Sequence, residues 1–216
     1  LNRRTIGLTA RLTLVPLLLG LLGGCGVPSR VATTFAGDSD LSVRNEIRPE
    51  HRVTPEFDRA VYGSDSRHRL TAVLLDGDPA DGTLRQAVII RLLWRAGPGN
   101  EVAIDPAATN ATTHYIVVGS SADNPDATAD EVGVYGGAGF FWIDSKPGAD
   151  KLVGDVWEAN LRLADRSEGF NDVLTPALLK GDVTAYRDDT ETQAVLARLS
   201  ELISAKLGYP RLVTAD

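Results

Sequence analysis

Between residues 153 and 163 the chain alternates with a period of two. Val153, Asp155, Trp157, Ala159, Leu161 and Leu163 fall on one side; Gly154, Val156, Glu158, Asn160 and Arg162 fall on the other. That period is the pleat of a β-strand, and the contrast between the sides predicts a half-buried antiparallel strand. Shorter apolar runs precede it. Residues 70–75 (LTAVLL) end at the turn-rich DGDPADG of 76–82, which predicts a strand and a tight connection. In residues 87–94 (AVIIRLLW), Thr83 and Gln86 stand upstream at capping-box spacing, yet apolar residues would surround a helix on every side. The β-branched Val88-Ile89-Ile90 favours a strand with Val88, Ile90, Leu92 and Trp94 on one face. Residues 113–118 (THYIVV) predict another. Residues 131–135 and 139–144 read as two arms of a hairpin that turns at Gly136-Gly137-Ala138.

The period then changes. Thr190 and Gln193 form a capping-box signature, and Val195, Leu196, Leu199, Leu202 and Ile203 follow on one helical stripe. Lys206 sits in the last turn, Gly208 stands at the C′ stop and Pro210 follows, which predicts a helix over about 190–207. Together these elements predict a mainly β fold, an antiparallel sheet or a β-sandwich, with one C-terminal amphipathic helix packed on it. Residues 59–216 suffice for one domain. Residues 26–58 are polar, carry Pro28, Pro49 and Pro55, and read as an extended spacer with a strand or two, holding the domain off the membrane.

The N-terminus has a different pattern. An apolar run, LTLVPLLLGLLGG at 12–24, follows Arg3, Arg4 and Arg11, and the first acidic residue is Asp38. A basic region, an apolar region and small residues at the cut describe a secretory signal peptide over 1–24. The run is too short, and too broken by Pro16 and its terminal glycines, for a membrane span of about 20 residues. Leu22-Gly23-Gly24-Cys25 resembles the lipobox of bacterial lipoproteins. The resemblance implies that Cys25, the lone cysteine, is lipidated through sulfur and becomes the new N-terminus. The polypeptide would then be held to a membrane outside the cytoplasm, in the cell envelope, with 25–58 as lipidated cysteine and tether. Using the thiol this way leaves none for a disulfide, a nucleophile or a metal.

Cleavage would remove three arginines and no acid, moving the net charge from −7 to −10. That balance argues against nucleic acid as a partner, because phosphates call for a basic patch. It also argues against an electrostatic grip on anionic lipid, so the lipid on Cys25 would do the anchoring.

Candidate chemistry is sparse. Asp76, Asp78 and Asp81 supply the hard oxygens that calcium takes, but in an EF-hand frame the third aspartate is one place late and Ala87 stands where a bidentate Glu belongs. A second acidic loop carries Asp123, Asp126, Asp130 and Glu131. The glycines at 133, 136, 137 and 139 lack phosphate-loop spacing and precede a strand, so they read as hairpin glycines. Asp155 falls on the face of Trp157 and Leu161, where a buried carboxylate takes a raised pKa as a general acid, unless it lies at the strand end in water or pairs with an arginine such as Arg91. His51, His68 and His114 have no metal-ligand spacing, and neither GxSxG nor SxxK occurs. Trp94, Trp142 and Trp157 read as core, with a ligand site or an interface as the alternative.

Two functions fit. One is a noncatalytic, lipid-anchored envelope protein that binds another protein or helps organise an envelope assembly. The other is a lipid-tethered hydrolase of envelope polymer using Asp155 with Asp144 or Glu158; the strand alternation sets Glu158 on the opposite side and counts against that pair. A calcium-dependent binding module is a further alternative.

Overall fold

The structure is a computed structural model, and it describes residues 38–65, 69–93, 109–119, 131–146 and 148–211. Among the described residues nine strands precede one helix: β1 Asp40–Asn45, β2 Arg52–Val53, β3 Arg59–Ser64, β4 Leu70–Asp76, β5 Gln86–Leu92, β6 Ala111–Val118, β7 Val132–Ile143, β8 Lys151–Arg166, β9 Ala177–Arg187 and α1 Asp189–Leu207. The fold is mainly β with a C-terminal helix, as the sequence pattern predicts.

The strands form one sheet in the order β2-β1-β9-β3-β4-β5-β6-β7-β8, and β9 also pairs with β8. Strands β3 to β9 therefore close into a circuit. One edge of β9 runs antiparallel to β8. The other edge is shared by β1, antiparallel, and by Val61 and Tyr62 of β3, parallel. That short parallel pair makes the sheet mixed.

Closure divides the apolar residues by strand parity. Ala72, Leu74, Val88, Ile90, Tyr115, Tyr135, Phe141, Leu161, Leu179 and Val183 belong to one cluster, inside the circuit. Val61, Val73, Leu75, Ile89, Ile116, Val132 and Val134 face outward and pack with Val195, Leu196, Leu199 and Ile203 of α1. This explains why β4 and β5 read as continuous apolar runs: both of their faces are covered. Each fully buried side chain of this kind contributes about 1.5–3 kcal/mol. The interior tyrosines find partners for their hydroxyls: Tyr115 donates to Gln86 Oε1 at 2.9 Å, Tyr135 to Asp172 Oδ1 at 2.9 Å, and Tyr62 to the carbonyl of Ala149.

The helix starts earlier than its capping-box signature indicates. Asp188 is the N-cap, its side chain accepting from Glu191 N–H at 2.8 Å. Asp189 Oδ1 accepts from Ser64 N–H at 2.8 Å, tying the first turn to the end of β3. A Cβ on Gly63 would lie 2.9 Å from Asp189 Cα, so glycine lets the helix cross there. The C-terminus ends as read, on Gly208 at φ 76°, whose N–H donates to the Ser204 carbonyl.

Three expectations need correction. The stretch 26–58 carries the two strands its sequence allows, but they belong to the sheet rather than to a spacer: β1 pairs with β9, with Leu41 and Val43 fully buried, and β2 pairs with β1.

The hairpin at 136–138 does not form either. β7 runs unbroken through the glycines, which serve close approach rather than a turn. A Cβ on Gly137 would sit 1.8 Å from the Asn160 carbonyl oxygen, and one on Gly139 2.1 Å from that of Glu158. Neither glycine has a positive φ.

The alternation in β8 also changes parity midway. Leu152, Gly154 and Val156 are buried, and then Ala159 and Leu161. The pairing slips between Phe140 and Phe141 on one side and between Val156 and Ala159 on the other. This β-bulge turns both Trp157 and Glu158 outward.

Candidate functional site

The bulge builds the most unusual surface of the protein. Outward positions of β7 and β8 carry Phe140 opposite Glu158 and Trp142 opposite Asp155, with Trp157 as the extra residue between them. The Trp142 and Trp157 rings stack, with centroids 6.2 Å apart and planes inclined by 14°. Phe140, itself buried, packs against both at 6.4 and 5.6 Å. Trp142 is 38% and Trp157 52% exposed, an uncommon state for the residue with the most apolar area to hide. The expectation that these two tryptophans are core is thus overturned; Trp94 lies outside the described residues.

Acidic residues run beside the rings. Trp142 pairs with Asp155, Asp155 with Asp182 of β9, and Asp182 with Asp40 of β1, so four successive strands place these side chains in one row. Asp144, just beyond β7, accepts from the Trp142 indole N–H at 2.8 Å. Asp155 hydrogen-bonds Asp182, and its pKa is pushed up to about 6. The hydrogen bond to Asp182 is the main cause; partial desolvation, the Asp182 charge and Asp144 add to it. Carboxylates this close hold a proton between them more readily than two full charges.

This placement revises the reading of Asp155. It shares a face with Trp157 but not with Leu161, which the bulge sends inside. Arg91 is not its partner: that guanidinium donates to Asp65 Oδ2 at 3.3 Å. Glu158 lies on the same outward side as Asp155 rather than the opposite one. Asp182 was missed altogether, since nothing in the local sequence KGDVTAY signals a site. The aromatic run Phe140-Phe141-Trp142 was the available clue.

The loop aspartates are held by turn and ion-pair contacts. Asp76 is buried and accepts from Arg85 Nε at 3.0 Å and Gln86 Nε2 at 3.2 Å. Asp78 Oδ1 accepts from Ala80 N–H at 2.8 Å, and Asp81 Oδ1 accepts from Thr83 N–H and hydroxyl at 2.9 and 2.6 Å. Those Thr83 bonds hold the Asp81 pKa below its usual value. The structure does not gather these three into one cluster, and no group of three potential ligands for a metal occurs among the described residues. Of the second acidic loop, Asp123, Asp126 and Asp130 lie outside the described residues.

His51 Nδ1 is 3.1 Å from the Val173 carbonyl, beside an open depression of about 310 Å³ lined by Glu50, His51, Arg52, Val173 and Leu174. His114 is largely buried, which lowers its pKa, with Arg211 adding to the effect. Cys25, the segment 1–24 and His68 lie outside the described residues. No helix among the described residues is long and apolar enough to cross a membrane.

No known protein family, curated protein or solved structure matches the chain.

Proposed function

We propose that the chain is a lipid-anchored, extracytoplasmic envelope protein without catalytic activity, attached through Cys25 and binding another envelope protein through the Phe140–Trp142–Trp157 face. The observation that carries the binding role is the stacked, exposed tryptophan pair. Elsewhere the outer surface of the sheet turns branched apolar side chains under α1, whereas this part shows large aromatic area to solvent. Exposed aromatic patches with polar surroundings are characteristic of recognition surfaces. The observation behind the anchor is the LGGC sequence at 22–25 after its basic and apolar regions.

The test joins both halves. Cells expressing the full chain are mildly crosslinked, and the protein is captured in its wild-type, Cys25→Ser and Trp142→Ala/Trp157→Ala forms. A stoichiometric partner recovered with wild type and lost with the tryptophan variant is the expected result. The Cys25→Ser form should leave the membrane fraction. Equal recovery of the same proteins by the tryptophan variant would refute the binding face. Retention of Cys25→Ser in the membrane would refute the anchor.

One observation favours the hydrolase reading as a second choice, the raised pKa of Asp155 beside Asp182 and Asp144. Yet these carboxylates touch one another, while glycosidase pairs stand about 5–9.5 Å apart to hold the sugar and water between them. Release of soluble sugar from envelope polymer by wild type, abolished in Asp155→Asn, would restore that reading.

A further inference from the structure

We propose that the Phe140–Trp142–Trp157 face docks a basic polypeptide segment, which lays Lys or Arg side chains along the row from Trp142 to Asp40. This rests on reading that face as a recognition surface and adds the chemistry of its partner. The commitment comes from charge. Asp144, Asp155 and Glu158 lie beside the rings, Asp182 and Asp40 continue the row, and the nearest cation in the register is Lys180, opposite the bulge. Among the described residues no ion pair engages Asp144, Asp155 or Asp182. Their mutual repulsion is therefore left for an incoming cation to relieve.

The rings complement the same ligand. A guanidinium or ammonium is drawn to a tryptophan face, and arginine also pairs its flat fork with a carboxylate. A neutral glycan would stack on the tryptophans too, but it would leave the crowded negative charge unrelieved. A second copy of this acidic chain would add to the repulsion. The dimensions suit an extended peptide. Adjacent strands lie about 4.8 Å apart, so three steps from Trp142 to Asp40 span about 14 Å, or roughly four residues of extended chain.

Such docking responds to pH. Below about 6 Asp155 is protonated and the row loses one negative charge. The groups facing it are Asp182 on β9 and Asp144 after β7, with Asp40 on β1, Glu158 on β8 and Lys180 on β9 further along the face. All but Lys180 favour holding a cation when ionised, so binding strengthens as pH rises through 6.

The experiment is calorimetric titration of the full chain in detergent micelles with a hexapeptide alternating Arg and Gly, with a Glu-Gly hexapeptide and a neutral hexasaccharide as comparators. The Arg peptide should bind, weakening about tenfold in Trp142→Ala/Trp157→Ala and about tenfold in Asp155→Asn/Asp182→Asn. Affinity should also fall from pH 7.5 to pH 5 and with added salt. Equal affinity of the Asp variant for the Arg peptide, or equal binding of the Glu peptide, overturns the proposal. So does binding of the hexasaccharide alone, which would give the face to a glycan. If tryptophan-dependent capture from cells persists while the Arg peptide fails, only the partner's chemistry is wrong; if both fail, the face itself is refuted.

Discussion

Two regions of the same outer sheet surface have opposite characters. Across β3, β4, β5, β6 and the start of β7 the outward residues are Val61, Val73, Leu75, Ile89, Ile116, Val132 and Val134, and α1 seals them. Across the end of β7, β8 and β9 they are Trp142, Trp157, Asp155 and Asp182, bare of any covering element among the described residues, with Phe140 buried against the two indoles. Branched aliphatic residues suit permanent burial, because they lose little on fixing and interdigitate with a helix. Stacked tryptophans flanked by carboxylates stay solvated when uncovered. The covered half packs against the helix; the bare half leaves aromatic area in solvent.

Strand β7 belongs to both regions, and its continuity through 136–138 is what makes them one surface. The sharpest break is therefore Gly137→Ala against Gly136→Ala. The new Cβ at 137 would enter the space of the Asn160 carbonyl, whereas at 136 its nearest neighbour is the Ala164 Cβ at an ordinary 3.5 Å. Gly137→Ala should cost about 3 kcal/mol or more and Gly136→Ala less than about 0.5 kcal/mol, read by chemical denaturation. Were 136–138 a turn, the two substitutions would not divide this way.

A second measurement compares the regions directly. Leu199→Ala opens a cavity under the helix at a fully buried position and should cost about 2–5 kcal/mol. Trp157→Ala removes a larger side chain but one already half in water, and should cost under about 1 kcal/mol. Comparable losses would mean that the tryptophan face is structural and would weaken its assignment as a recognition surface.

Much of the covered region was legible in the sequence, and the bare region much less so. The runs that became β4 and β5 and the stripe of α1 announce themselves because local period and tertiary burial agree. The reading failed where one local signal serves two geometries. Glycine marks a turn and equally a close approach of backbones, and only the closed sheet shows that Gly137 and Gly139 meet the carbonyls of Asn160 and Glu158. The parity of β8 looked unbroken because residues on both sides of the bulge obey a period of two, with the slip hidden between Val156 and Ala159. Strand β1 is masked by polar surroundings, since its two buried apolar residues, Leu41 and Val43, are too few to set a pattern. Asp155 was identified, but its partner Asp182 lies 27 positions away and is reached only through the β8–β9 register. Asp188, Asp189 and Thr190 can each cap a helix, and the contact between Asp189 and Ser64 N–H decides among them.

The smallest effect is the most specific to the bare region. Asp155 has its folded pKa raised to about 6 from an ordinary 3.8, so in this interval the folded state holds the proton that the unfolded state has released. The sign follows from that difference. The contribution of Asp155 to stability is fully present below about 3.8, declines as pH rises through 6, and is absent above it. Asparagine imitates the protonated acid at every pH. Asp155→Asn should therefore leave stability unchanged near pH 4 and raise it at pH 7.5, by no more than about 1 kcal/mol because solvent screens a partly exposed carboxylate. Denaturation midpoints of both proteins at the two pH values give the answer. A loss of stability at pH 7.5 would mean that the ionised Asp155 makes a favourable contact, and the crowding of negative charge that distinguishes this face from the helix-covered one would be gone.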